Sequence, residues 1–150
     1  MTDVRLERYF PISADALFEW VTRPDRLGQW FGTEWVDMVE HDINFTRKGP
    51  WRAVMIARDG GQRFKVTGHV THLRPPHSVG FTWAWHDDTD TRGPESHVTF
   101  TVQAQEEGAV LIIDHRDLPG DEAAKQHEQG WTSTLRRLEQ ALQAFLTKGD

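Results

Sequence analysis

No cysteine occurs among the 150 residues. Disulfides, thiol nucleophiles, zinc knuckles and iron–sulfur clusters are therefore excluded. The lack of cysteine also fits a reducing compartment. Long apolar runs are missing as well. Ala109 to Ile113, a run that none exceeds, falls far short of the ~20 residues a membrane span needs. The opening Met1-Thr2-Asp3-Val4-Arg5 carries no apolar secretory core. A soluble cytoplasmic protein with no membrane span is expected. Positive charge is scarce and scattered: 17 basic residues stand against 23 acidic ones, a net charge of −6. Arg47-Lys48 and Arg136-Arg137 are isolated pairs. Nucleic-acid binding draws on clustered Lys and Arg, so no nucleic-acid partner is expected. Catalytic signatures are lacking too. There is no Gly-x-Ser-x-Gly elbow, no HExxH spacing and no glycine-rich phosphate loop.

Tryptophan, by contrast, is plentiful: seven against a single tyrosine. Trp20, Trp30, Trp35, Trp51, Trp83, Trp85 and Trp131 are spread along the chain. An indole offers a large apolar surface and one N–H donor. That suits bulky core filling and an aromatic cavity wall equally.

Periodicity orders the elements. Val4 to Phe10 alternates as a strand and ends at Pro11. Ser13 is an N-cap for a short helix bearing Leu17, Phe18, Trp20 and Val21. A second short helix opens around Pro24, buries Leu27, Trp30 and Phe31, and stops at Gly32. Strands are expected at Trp35 to Phe45, Trp51 to Ala57, Arg63 to Leu73, Ser78 to His86, Ser96 to Gln105 and Ala109 to Arg116. Gly49-Pro50, Asp59-Gly60-Gly61 and Glu106-Glu107-Gly108 read as turns between them. Asp121 caps a last helix running to about Lys148. On it Trp131, Leu135, Leu138, Leu142 and Phe145 recur at steps of four and three. Gly130 lies inside this helix, where glycine costs roughly 1 kcal/mol relative to alanine. Strands joined by short turns form an antiparallel meander. A long amphipathic helix after it must lie on the sheet. The length is that of one domain, residues 1–150.

These residues resemble a known family. The element order is similar to the helix-grip fold of the START-like superfamily, and within it to the Aha-type family. The markers are Arg8-Tyr9-Phe10-Pro11-Ile12-Ser13, Pro24-Asp25-Arg26-Leu27 with Trp30, and Gly68-His69-Val70 leading to Arg74-Pro75-Pro76. Phe81-Thr82-Trp83, His115, and Gly130-Trp131 with Leu135 and Leu138 complete the set. The resemblance implies an α+β fold. A curved antiparallel sheet of six or seven strands wraps a long C-terminal helix, with two short helices after the first strand. It implies a deep apolar cavity between helix and sheet, and no single activity. Family members often have a Gly-Gly turn between the second and third strands. Arg47-Lys48-Gly49-Pro50 stands there instead, and its proline predicts a stiffer turn.

The expected function is binding of a small hydrophobic or aromatic molecule, with no cofactor and no metal. Trp30, Trp51, Trp83, Phe100 and Trp131 are the candidate walls, joined by Leu135. His115 follows Leu111 and Ile113 at period two, and should point into the cavity as a non-catalytic polar contact. His127, one turn before Trp131, should meet His115 at the mouth. Two histidines lack the third ligand that a metal requires. Asp87, Asp88 and Asp90 lack the glycine and glutamate of a calcium loop. Two other classes stay open. One is a cyclase or hydratase using His115 as acid–base on a polyketide-like substrate. The other is a co-chaperone-like interaction module. A homodimer also stays open.

Overall fold

The structure is a computed structural model and describes residues 2–148. Seven antiparallel strands form one sheet: β1 (Thr2–Phe10), β2 (Val36–Asp42), β3 (Gly49–Ala57), β4 (Arg63–Arg74), β5 (Ser78–Trp85), β6 (Ser96–Gln105) and β7 (Gly108–Leu118). Their spatial order is β1-β7-β6-β5-β4-β3-β2. The first strand therefore pairs with the last, and the other six form a meander. Helices α1 (Ala14–Trp20) and α2 (Pro24–Trp30) connect β1 to β2, and α3 (Asp121–Lys148) follows β7.

Register explains why period-two readings transfer to one face. Val98 sits opposite His115, Phe100 opposite Ile113, Phe81 opposite Val98, and Val66 opposite Trp85. Directly opposed residues share a face. The inner face thus carries Val79, Phe81 and Trp83 of β5, Val98, Phe100 and Val102 of β6, and Leu111, Ile113 and His115 of β7. On α3 the side chains of Trp131, Leu135, Leu138 and Leu142 are buried against it.

Local chemistry sets the boundaries. The Ser13 hydroxyl accepts from the Ala16 amide at 3.1 Å, capping α1. Pro24 opens α2, and the chain leaves it through Phe31 and Gly32, whose φ is +103°. Several expected boundaries move. β2 ends at Asp42, after which Ile43 and Phe45 turn inward and are buried. The Phe45 amide bonds the Thr22 carbonyl at 2.9 Å. Gly49 and Pro50 are strand residues, not a turn; they pair with Val70 and His69 beyond the end of β2. A proline there removes no ladder bond on the open side. Asp121 is the first residue of α3 rather than its cap. Phe145 falls off the apolar stripe and is 44% exposed, edge-on to Trp20.

Candidate functional site: a groove beside the C-terminal helix

The centre of the helix–sheet interface is solid. Phe45 stacks on Phe81 with ring centroids 4.3 Å apart, and Trp51 meets both edge-on. The Trp30 indole donates to the Trp20 carbonyl at 2.9 Å. The Trp51 indole crosses β4 and donates to the Thr82 carbonyl at 3.1 Å. It can do so because residue 68 is glycine: a Cβ there would overlap the Thr82 carbonyl oxygen. Trp30, Trp51, Phe100 and Leu135, expected at a cavity wall, lie in this sealed core and do not border the open space. The reason is Phe45. The segment after β2 folds it into the space that a deep cavity would occupy.

The remaining space lies at one end. A groove of about 550 Å³ runs between the first half of α3, the 31–35 loop and the inner ends of β3, β4 and β5. Trp83, His127 and Trp131 border it, as do Met55, Phe64, Thr33 and Gly130. Trp35 and Trp85 stand at its mouth, 53% and 36% exposed. Among the described residues, no Lys, Arg, Asp or Glu lines it. Its size lies within the range of small-molecule sites.

The 31–35 loop is fastened to α3. The Ser133 hydroxyl accepts from the Glu34 amide at 2.8 Å and donates to the Glu34 carboxylate at 3.1 Å. Arg136 reaches that carboxylate at 2.9 Å, and its hydrogen bond holds the Glu34 carboxyl below its usual range. Arg137 donates to the Phe31 carbonyl at 3.3 Å. One groove wall is therefore positioned by polar bonds rather than by packing alone.

Two histidines meet behind the groove, with ring centroids 4.6 Å apart. His115 is 0% exposed and does not border the open space. Its Nδ1 accepts from the Trp131 indole at 3.0 Å. Burial, helped by the nearby His127 and His97, pushes its pKa down to about 3, so the ring is neutral. The proton then sits on Nε2, which donates to Ser96 Oγ at 2.7 Å. Ser96 in turn donates to the Trp83 carbonyl at 3.3 Å. Both ring nitrogens are occupied, and the chain Trp131–His115–Ser96 locks α3 onto β5, β6 and β7. His127 is also neutral, its pKa pushed down to about 4 by burial. Its Nε2 accepts from the Trp85 indole at 3.1 Å, and the two rings stack at 6.2 Å.

Among the described residues, no group of three His, Cys, Asp or Glu side chains is placed to hold a metal. Asp87 Oδ1 accepts from the Thr89 hydroxyl and from the Thr91 and Thr89 amides, which lowers its carboxyl pKa and commits it to shaping its own loop. No helix is long and apolar enough to cross a membrane among these residues.

Residues 11–143 match the family model for activator of Hsp90 ATPase homolog 1-like proteins. The chain belongs to that family. Among solved structures, the AHSA1 protein of Silicibacter pomeroyi is 53% identical, with a TM-score of 0.89, covering 95% of this chain and 99% of that one. A Chromobacterium violaceum protein shares the fold at 19% identity, with a TM-score of 0.78 over 92% and 95% of the two chains. DynU16, a putative protein in the dynemicin biosynthetic locus, is 27% identical with a TM-score of 0.70. The match covers 99% of this chain and 48% of DynU16. No curated protein matches. The AHSA1-family fold agrees with the helix-grip architecture read from the sequence.

Sequence reasoning did not assign Thr33, Phe64, Trp35 or Trp85 to a cavity wall. For Trp85 the register decides: it opposes Val66, an inner-face residue. For Trp35 a signal existed, since a large indole directly after the loop that follows Gly32 belongs to no apolar stripe.

Proposed function

We propose that this AHSA1-family protein binds a small apolar or aromatic molecule in the groove beside α3. The observation that carries the reading is the pairing of a 550 Å³ space with two half-exposed tryptophans, Trp35 and Trp85, at its mouth. A ligand there covers indole surface that water otherwise touches, at about 25 cal/mol per Å² of apolar area. A ligand of about 15 heavy atoms, at roughly 0.5 kcal/mol per atom, binds with a micromolar dissociation constant. The likeness to DynU16, a putative protein in the dynemicin biosynthetic locus, supports a small-molecule role. A cysteine-free chain suits a reducing compartment such as the cytoplasm.

An acid–base role for His115 draws no support from its surroundings. The ring is sealed, neutral and bonded at both nitrogens. The chaperone reading rests on the family description alone.

The test is native mass spectrometry of freshly purified protein, followed by fluorescence titration of a panel of small aromatic molecules. A co-purified small molecule, or saturable quenching that weakens in Trp85→Ala and Trp35→Ala, supports the reading. Absence of both for every compound removes it.

A further inference from the structure

Four buried side-chain atoms among the described residues have no hydrogen-bond partner: Arg26 Nε, Thr33 Oγ1, Trp83 Nε1 and His127 Nδ1. Three of the four belong to residues that border the groove. Buried polar groups are normally paired, so their concentration around one space points to a ligand. Their hydrogen-bonding sense can be assigned. An indole Nε1 only donates. In His127, Nε2 is the acceptor for the Trp85 indole, so the proton of the neutral ring sits on Nδ1, which therefore donates as well. The Trp83 and His127 rings lie 6.0 Å apart where β5 faces α3. Two N–H groups without acceptors thus belong to adjoining rings that border the groove, and the unpartnered Thr33 hydroxyl belongs to a third lining residue.

The charge around them narrows the partner. Among the described residues, no Lys, Arg, Asp or Glu borders the groove. His86, also at its edge, is already bonded to Thr67 Oγ1 at 2.9 Å and to Asp90. A carboxylate entering here would lose its hydration without meeting a cation. A neutral carbonyl oxygen loses little and has two lone pairs, one for each donor.

We propose that Trp83 and His127 form a two-donor subsite for a neutral carbonyl oxygen carried on an aromatic ligand. This rests on the ligand-binding reading above and adds the chemical class of the ligand. Both donor atoms are covered by neighbouring rings. The oxygen reaches them through side-chain adjustment at the half-exposed mouth, a change common on ligand entry.

A matched set of probes tests it: 2-acetylnaphthalene, 2-isopropenylnaphthalene, in which a CH₂ replaces the carbonyl oxygen, and 2-naphthoate. Affinities are measured by calorimetry at pH 7.5. Indole N–H resonances are followed by NMR, with Trp83 assigned from the full-length wild-type protein. The ketone is expected to bind about tenfold tighter than the hydrocarbon and to shift the Trp83 N–H signal, which the hydrocarbon does not. The naphthoate should bind more weakly than the ketone. In His127→Phe the ketone's advantage should fall below about threefold. Equal binding of ketone and hydrocarbon to the wild type, or naphthoate binding as tightly as the ketone, overturns the subsite and leaves the groove reading standing. No binding by any of the three overturns both. The wild-type comparison involves no variant, so the test does not depend on how a substituted core folds.

Discussion

Gly130 is the residue whose substitution best separates stability from function. It sits in the middle of α3, where glycine is less favourable than alanine by about 1 kcal/mol. A close helix–sheet approach would explain it if a side chain had no room there. The geometry says otherwise. A Cβ at position 130 would meet only Thr33 Cγ2, at 3.7 Å, an ordinary van der Waals contact. Gly130→Ala should therefore stabilise the fold by about 1 kcal/mol. With an unfolding entropy of about 2 cal/mol/K per residue over a chain of this length, the melting temperature should rise by about 3 °C. The same methyl group would fill space beside Thr33 at the groove's edge, because Gly130 and Thr33 both border it.

Circular dichroism melts and urea titrations of wild type, Gly130→Ala and Gly130→Leu measure the stability side, and the naphthalene probes measure the binding side. The expected pattern is opposed: Gly130→Ala melts higher and binds the ketone several-fold more weakly. Gly130→Leu keeps the fold and loses binding. A lower melting temperature for Gly130→Ala would refute the reasoning, since it would mean that the helix approaches the 31–35 loop too closely for a side chain. A higher melting temperature with unchanged binding would keep the helix argument and remove Gly130 from the binding site.

Three further outcomes follow from the polar framework. His115→Phe removes the partner of both the Trp131 indole and the Ser96 hydroxyl, and should cost about 2–4 kcal/mol in urea denaturation; a loss below about 0.5 kcal/mol would contradict the locking role. Acidification should weaken the fold, because His115 and His127 have native pKa values of about 3 and about 4, below the usual value of 6.5. From pH 6.5 downward the unfolded chain takes up protons that the native rings do not, so stability falls with pH until the native rings titrate. Between pH 7.5 and 5.0, His115 contributes a loss of about 2 kcal/mol and the partly exposed His127 somewhat less. His127→Phe should flatten that part of the slope, and an unchanged slope would show that His127 protonates freely in the native state. Ser133→Ala deletes both bonds to Glu34 and should loosen the 31–35 loop, seen as faster amide exchange of Glu34 at a stability cost of about 1–2 kcal/mol; unchanged exchange would place the fastening elsewhere.

The fold was legible because its signals are periodic. Alternation put Phe81, Trp83, Val98, Phe100, Ile113 and His115 on one face, and no bulge interrupts β5–β6 or β6–β7 to invert it. The stripe on α3 was legible for the same reason up to Leu142. Phe145 departs from it because the last turns of the helix run beyond the main core, where its half-exposed ring meets Trp20 and Arg26. The groove was harder to read. Trp30, Trp51 and Phe100 carry the same inward signal as Trp83 and Trp131. What sorts core from groove is the position of Phe45, three residues past the last paired residue of β2. No periodicity predicts where an unpaired segment folds, so the plug that divides the interface was invisible. The loop anchors were hidden in the same way, since Glu34 and Ser133 are 99 residues apart.

His115 and His127 show what burial does to one side chain in two settings. Both are neutral, both take an indole N–H on one nitrogen, and their rings nearly touch. They differ in the second nitrogen. His115 donates from Nε2 to Ser96, whose hydroxyl donates to the Trp83 carbonyl, so the chain of bonds ends in the backbone of β5 and His115 has nothing left to offer. His127 sits one turn earlier on α3, nearer the groove, and its Nδ1 proton meets no acceptor. The inward alternation of β7 favours His115 as the functional histidine, yet the deeper a residue lies, the more completely the protein must satisfy it. Of the two histidines, the one with unfulfilled hydrogen-bonding capacity is the one at the boundary, and that is why the proposed carbonyl subsite is placed there.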